Sequence, residues 1–185
     1  MAIVLDRSLV HSVIGSGYDL ALDDELFSDS FREPIRRRGC MTKREIVRIG
    51  RWKAVRATGH MQFDDDRARL VTRTAFRVQD AGLANWVLRN LSGVGTPMAS
   101  ALLTVFDETT FTVIDARAIA TLRELEFDVL ELERPSWLDR NDVTGNSWTY
   151  GEYVKLCNDI AATLDVSLRD LDRALWAMNG ELAQV

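Results

Sequence analysis

Cysteine, histidine and lysine are scarce in this chain of 185 residues, which contains two cysteines, two histidines and three lysines. Cys40 and Cys157 are too few and too far apart for a disulfide framework or a zinc site. His11 and His60 are equally isolated, and we assign neither a chemical role. Three consecutive aspartates at 64–66 point in different directions on a helix. We therefore predict no metal site.

Long apolar runs are also lacking, because no stretch reaches the roughly 18 residues that a membrane-spanning helix needs. Residues 1–15 contain acidic and polar side chains and lack the pattern of a secretory signal. We therefore expect no membrane partner and a cytoplasmic location. Apolar residues make up 46% of the chain and charged residues 28%, which is typical of a folded globular protein. The length favours one domain over 1–185, with room for two lobes.

The net charge of -5 is unevenly distributed along the chain. Between Arg32 and Arg56, ten basic and two acidic residues give +8, which leaves -13 for the rest. A protein with a negative net charge binds DNA poorly unless its surface has a positively charged region, because positively charged side chains are needed to bind the DNA phosphates. This basic segment is either a solvated helix face or a DNA-facing surface. On the second interpretation, we assign phosphate contacts to Arg51, Lys53 and Arg56.

Apolar residues at helical spacing predict an all-α fold of eight or nine helices, with at most one short extended segment at 111–114. Thr42 and Glu45 form a capping box at the start of one helix. Pro34 and Gly39 bracket an arginine run at 36–38, which is therefore predicted to be a turn. Residues 128–147 are predicted to form a long loop, followed by two closing helices at 150–164 and 168–182.

Two helices joined by a short turn are predicted at 83–106. The first has apolar residues at helical spacing: Leu83, Trp86, Val87 and Leu91. Gly93 and Gly95 end it, because a residue without Cβ can adopt the left-handed conformation of a helix C-cap. Thr96 suits the N-cap and Pro97 the first position of the second helix. The apolar stripe of that helix consists of Met98, Ala101, Leu102 and Val105.

This helix-hairpin-helix exposes consecutive backbone amides near a helix N-terminus, which form a site for an anion. The phosphate of a nucleic acid is the expected ligand, and glycine allows it to approach the main chain closely. The candidate DNA contacts in the hairpin are Gly93, Val94, Gly95 and Thr96.

The chain resembles the helix-hairpin-helix DNA glycosylase superfamily, which includes endonuclease III, the adenine glycosylase MutY and the alkyladenine and 8-oxoguanine glycosylases. The resemblance covers roughly residues 83–120. Its motif is Leu-x-Gly-Val-Gly at 91–95, then Ala99 in an apolar helix, then a β-like run that ends in Asp115. It implies a two-lobed helical fold and an enzyme that flips a damaged or modified base from duplex DNA and hydrolyses its N-glycosidic bond.

The resemblance also makes Asp115 the catalytic carboxylate and implies a monovalent cation at the hairpin. The iron-sulfur cluster of some members is not expected, because two cysteines cannot supply four thiolates. The glycosylase-lyases of the family have a nucleophilic lysine two residues after the second hairpin glycine, where this chain has Pro97. A monofunctional enzyme, in which water attacks, is therefore implied. Lys53 could replace the missing amine, although phosphate contact is the role that we favour.

Asp115 suits this chemistry because cleavage of the bond builds positive charge on the sugar, which a carboxylate stabilises. A position at a helix N-terminus keeps the carboxylate ionised. The simpler alternative is that Asp115 only caps the helix. Trp52 and Trp86 are weak candidates for stacking on a flipped base.

We therefore expect a monomeric, monofunctional DNA base-excision glycosylase. The main alternative is a non-catalytic DNA-binding protein that keeps the hairpin. A protein-protein adaptor that uses the hairpin only as a fold element is a third possibility.

Overall fold

The computed structural model describes residues 3–17 and 20–182. Within these ranges the chain forms ten α-helices and no β-strand, which confirms the all-α prediction. The α-helices are α1 (Arg7–Gly17), α2 (Leu20–Phe27), α3 (Asp29–Arg38), α4 (Lys43–Ala54), α5 (Asp65–Ala75), α6 (Ala81–Leu88), α7 (Thr96–Phe106), α8 (Ala116–Glu124), α9 (Ser147–Leu164) and α10 (Leu168–Leu182). Four 3-10 helices lie at Val55–His60, Phe127–Leu130, Ser136–Asp139 and Val143–Gly145.

Helix α7 lies at the centre of the fold. Nine of its eleven residues are buried. It packs against α3, α4, α6 and α9. One cluster of buried apolar side chains surrounds it and extends from Val10 in α1 to Leu175 in α10. The second helix of the predicted hairpin is therefore part of the core, and only Pro97 near its start and Phe106 at its end are partly exposed.

The segment at 111–114 is extended but pairs with no strand in the described part of the chain. Side chains hold it instead. The hydroxyls of Tyr150 and Tyr153, both in α9, donate to the carbonyl oxygens of Thr112 and Val113 over 3.1 and 3.0 Å. The Ser100 hydroxyl in α7 accepts a hydrogen bond from the amide of Ile114 over 3.1 Å. These contacts fix the backbone that leads into Asp115 and α8.

Two predictions of local structure are wrong. The arginines at 36–38 form the last turn of α3, and this helix ends at Gly39, whose φ of 63° is left-handed. Pro34 lies inside α3. Residues 128–147 are not a featureless loop, because they contain 3-10 turns that bury Leu130, Leu138 and Val143.

Candidate active site around Asp115 and Lys53

Two helices joined by a turn form here, but α6 ends at Leu88 with Arg89 as its C-cap and not at the glycines, so residues 89–95 join it to α7. Leu83 and Trp86, predicted to belong to its apolar stripe, are exposed. Gly93 is left-handed, with a φ of 79°. The N-cap of α7 is Gly95 and not Thr96, so the predicted cap is wrong by one residue. Gly95 has no side chain to cap the first amides of α7. The start of this helix therefore lacks the side-chain acceptor that an aspartate or serine at the same place would supply.

The two hairpin glycines have different surroundings. A Cβ atom on Gly93 would lie 2.6 Å from the carbonyl carbon of His60, so Gly93 allows the hairpin to pack on the chain's own backbone. The Ser92 hydroxyl strengthens this contact by donating to the His60 carbonyl oxygen over 3.1 Å. Gly95 is exposed, and a Cβ atom there would come no closer to a neighbour than 3.9 Å, the distance to Pro97 Cδ. Only Gly95 leaves an open approach for a phosphate.

Val94 and Thr96 flank Gly95 and have buried side chains. A hydrogen bond from α6 also holds the main chain of Thr96, because the Asn85 side-chain amide nitrogen donates to the Thr96 carbonyl oxygen over 3.0 Å. Because each of these whole residues is at most 4% exposed, a ligand at the hairpin reaches Gly95 and not Val94 or Thr96, which were candidate DNA contacts.

Asp115 uses its two carboxylate oxygens for two different contacts. Oδ1 accepts a hydrogen bond from the amide of Ala118 over 2.9 Å and caps α8, as the sequence predicts. Oδ2 accepts one from Lys53 Nζ, also over 2.9 Å. The Asp115 side chain is 17% exposed and that of Lys53 is 12% exposed. The result is an ion pair that is largely shielded from solvent but still open on one side.

Lys53 therefore has a different location from the one that phosphate contact requires. It projects from the last turn of α4 towards Asp115, whereas Arg51, two residues earlier, is exposed and lines a separate cleft. Arg56 is exposed in the 3-10 helix that follows α4. The three basic residues that the sequence groups together thus serve different surfaces.

The two residues that are candidates for stacking on a flipped base, Trp52 and Trp86, also lie on different surfaces. Trp52 is half-buried beside Lys53 in the chain, and its ring meets that of Phe27 edge to face at 6.0 Å. Trp86 is 56% exposed on the outer face of α6. It lines a cleft with Arg89 and Trp148 that includes neither Asp115 nor Lys53. Trp52 remains a candidate wall of a base pocket, and Trp86 belongs to another surface.

A buried ionic cluster, which the sequence analysis missed, consists of Asp23, Arg169, Asp172 and Arg173. Arg169 binds both oxygens of Asp23, over 2.5 and 2.6 Å, and also binds Asp172. Arg173 reaches Asp23 over 2.8 Å. The Arg169 guanidinium lies 4.1 Å from the centre of the Phe27 ring and 5.9 Å from that of Trp52. The cluster thus packs against the aromatic pair formed by Phe27 and Trp52.

A sequence signal for this cluster exists in α10. Arg169, Asp172 and Arg173 have the i, i+3 and i+4 spacing that places side chains on one face of a helix. Asp23 could not have been added from sequence, because it lies 146 residues from Arg169.

Asp172 couples this cluster to the candidate site. Burial raises the pKa of its carboxyl group from the ordinary value of 3.8 to about 6. The positive charges of Arg169 and Lys53 oppose the rise, and the negative charges of Asp115 and Asp23 add to it. Three carboxylates and three cations therefore share this part of the molecule, and the charges of Lys53 and Asp115 act on the pKa of Asp172.

The remaining reactive residue types lie elsewhere. Cys40 and Cys157 are both buried and free. Burial raises the pKa of the Cys157 thiol far above its usual range, so it stays protonated. Among the residues that the structure describes, no three His, Cys, Asp or Glu side chains are grouped to hold a metal ion. In the same ranges, no helix is long and apolar enough to cross a membrane.

Comparisons with protein-family models, with curated proteins and with solved structures find no match for this chain. Of the residues selected from the sequence, the structure brings Lys53 and Asp115 into contact and leaves Gly95 open at the hairpin. It places Arg51 and Trp86 on other surfaces.

Proposed function

We propose that this protein is a monomeric DNA N-glycosylase, in which Asp115 stabilises the positive charge that develops on the sugar as the base leaves. The observation that carries the proposal is the position of the Asp115 carboxylate. It lies at the N-terminus of α8, shielded but not closed off, at the end of a segment fixed by Ser100, Tyr150 and Tyr153. Fixed charges of this kind stabilise a transition state because they need no reorganisation during the reaction.

The hairpin supports the proposal by supplying a place for the DNA backbone. Gly95 is exposed, has no neighbour that a phosphate would displace, and precedes a helix whose first amides lack a side-chain cap. Helix N-termini of this kind attract phosphate because their amides are unsatisfied and the helix dipole is positive there. Binding at Gly95 would hold the backbone while a flipped nucleotide reaches Asp115.

The Lys53–Asp115 contact favours a second form of the same activity, a glycosylase-lyase. After losing a proton, Lys53 Nζ would form a bond to the anomeric carbon as the bond to the base breaks, with the electron pair leaving on the base. The base takes up the proton that the new ammonium group loses. Opening of the sugar ring then gives an imine between Lys53 and the DNA, which borohydride can reduce. Asp115, 2.9 Å from Nζ, is the acceptor positioned for the first proton.

A panel of duplexes tests the proposal. Each duplex has one altered base, for example uracil, 8-oxoguanine, an alkylated purine, a mismatch or a hypermodified pyrimidine. Base release leaves an abasic site, which hot alkali converts into a strand break. We expect at least one duplex to be cut only after alkali treatment. Tight binding of DNA without release of any base would support a non-catalytic DNA-binding protein instead.

A further inference from the structure

The exposed side of α4 has a concentration of positive charge that the proposed catalytic site does not use. A cleft of about 730 Å³ is lined there by Lys43, Arg44, Val47, Arg48, Arg51 and Asp65. The four cations, here called the basic face of α4, therefore outnumber the carboxylate by three. Arg44 and Arg51 make no ion pair with any residue that the structure describes.

The acidic groups near this face are already engaged. Asp65 accepts hydrogen bonds from Arg69 Nε over 2.6 Å and from the amide of Lys43 over 2.8 Å. Glu45 binds Arg38 over 2.6 Å and closes the capping box with Thr42. Arg48 is paired with Glu25. The positive charge of Arg44 and Arg51 is therefore left for an external partner.

The basic face of α4 points away from the candidate active site. At 100° per residue, the direction of Lys53 lies about 165° around the helix axis from the mean direction of the four cations. Lys53 contacts Asp115 on one side of α4, and the cleft lies on the other. A ligand in the cleft is therefore not the nucleotide at Asp115.

We propose that the basic face of α4 binds a second stretch of nucleic-acid backbone, away from the reacting nucleotide. This inference rests on the proposed function. Phosphate is the favoured partner because four of the six residues that line the cleft are cations and only one, Val47, is an apolar residue. The nearby rings of Phe31 and Phe63 each have a cation above them, Arg48 at 5.0 Å and Lys43 at 5.7 Å. Because no aromatic residue lines the cleft itself, the contact reads charge and not base sequence.

A protein or membrane partner fits these features less well. Protein interfaces draw most of their affinity from buried aromatic and apolar anchors, and peripheral membrane helices insert an apolar face. The basic face of α4 offers neither. The side chains opposite it on α4, including Ile46 and Ile49, are buried in the core.

The test compares two double variants that change the net charge equally. Arg44→Gln/Arg51→Gln removes the two unpaired cations of the basic face. Arg134→Gln/Arg140→Gln, the control, removes two arginines that already pair with Asp139 and Asp142. Fluorescence anisotropy with labelled duplexes of 10 and 30 base pairs, each with the altered base at one end, is measured over a range of salt concentrations.

We expect the Arg44/Arg51 variant to bind the 30-base-pair duplex about tenfold more weakly at low salt. The slope of log K against log[salt] should fall by about one to two, roughly one for each lost phosphate contact. Binding of the 10-base-pair duplex and base release at saturating protein should match the wild type. The same loss should appear in a Gly95→Asp background, because distant and independent contacts are additive.

An unchanged salt slope in the Arg44/Arg51 variant, or an equal loss in the control, would overturn this second contact and leave the proposed glycosylase activity untouched. Failure of the wild type to bind any duplex would overturn both proposals. Binding to phosphatidylserine vesicles that only the Arg44/Arg51 variant loses, with DNA binding intact, would show that the face serves a membrane.

Discussion

Asp115 combines a structural and a proposed chemical role in one carboxylate. Its Oδ1 caps α8, and its Oδ2 binds the Lys53 ammonium group. The capping role is available to any Asp, Asn, Ser or Thr, because each offers a side-chain oxygen to the first turn of a helix. The charge is specific to aspartate. A substitution that keeps the oxygen and removes the charge separates the two roles.

Asp115→Asn should therefore lower the rate of base release at least about 100-fold, the scale expected when a group acting on transition-state charge is lost. The protein should still fold and bind DNA, because asparagine is an equally good N-cap, although loss of the partner of Lys53 should lower its free energy of unfolding. Single-turnover base release, thermal unfolding and duplex binding measure the three properties. An undiminished rate of base release in this variant would exclude the proposed role of Asp115.

Borohydride trapping distinguishes the two forms of the activity. If water attacks the sugar, wild-type protein should form little covalent complex with DNA in the presence of borohydride. If Lys53 attacks, the complex should be abundant, should disappear in Lys53→Ala and should persist in Lys155→Ala. Lys155 is a suitable control because it is exposed on α9 and lines a different cleft. Gel electrophoresis of the reduced samples gives the answer.

At the scale of the element, the two glycines of the hairpin allow a direct comparison. Gly93→Ala should lower the free energy of unfolding by about 2 kcal/mol or more, because its backbone is left-handed and a Cβ would clash with the main chain at His60. Gly95→Ala should change it far less, since Gly95 has an ordinary φ of -88° and open space around it. Urea denaturation measures both variants, and equal losses would contradict the distinction.

Gly95, which matters less than Gly93 for stability, should matter for DNA binding. Gly95→Asp places a negative charge where a phosphate is expected to approach, so duplex affinity should fall by at least about tenfold without loss of folding. Asp is also a good N-cap for α7, so the variant should remain folded while its binding weakens. The comparison with Gly95→Asn, which adds a side chain of the same shape without the charge, isolates the electrostatic effect. Unchanged affinity in Gly95→Asp would exclude the hairpin as the contact.

The elements that short-range signals define were predictable from the sequence. The capping box of Thr42 and Glu45 is present, with both of its hydrogen bonds. The cap at Asp115 and the left-handed backbone of Gly93 also follow from local aspartate and glycine chemistry, whereas the predicted caps of α6 and α7 are wrong. Prediction failed where distant residues decide the outcome. The turn expected at 36–38 is helical in the structure, where Arg36 donates to the carbonyl oxygen of Phe106, 70 residues away.

The candidate site was only partly predictable for the same reason. Asp115 was accessible from the sequence because its position after the hairpin is local information. The contact with Lys53 joins residues 62 positions apart, and that between Asp23 and Arg169 joins residues 146 apart. No spacing rule for a single helix or strand covers such distances. The direction in which each side chain of α4 points was available from helical periodicity, but its neighbours were not.

At the scale of the whole molecule, α2, α4, α8 and α10 meet through charged groups with little access to water. Each of these helices contributes at least one member: Asp23, Lys53, Asp115, and Arg169 with Asp172 and Arg173. Buried charges are stable only when they are paired, because transfer from water is costly for an isolated ion. The three acidic and three basic side chains balance one another. Removal of one charge should therefore affect the others, including the pair at the candidate site.

Because of Asp172, the free energy of unfolding should depend on pH. Burial raises the pKa of its carboxyl group to about 6, above the ordinary value of 3.8 expected in the unfolded chain. Between these two values the folded protein binds more protons than the unfolded protein does. The contribution of Asp172 to stability is therefore fully present below about pH 4 and is lost as the pH rises towards 6.

Urea denaturation at intervals from pH 4 to pH 7 tests this behaviour in the wild type and in Asp172→Asn. The free energy of unfolding of the wild type, relative to the variant, should fall as the pH rises from 4 to 6 and then level off.

Asp139→Asn is a control of opposite sign, because the hydrogen bond from Arg134 lowers the pKa of Asp139. The stability that Asp139 contributes should be present throughout pH 4–7 and be lost only below about pH 3.8, so the curve of Asp139→Asn should run nearly parallel to that of the wild type over the measured range. Parallel curves for the wild type and Asp172→Asn would contradict a proton bound at Asp172. A difference confined to pH 4–6 would be the signature of a proton bound at Asp172 in the folded protein.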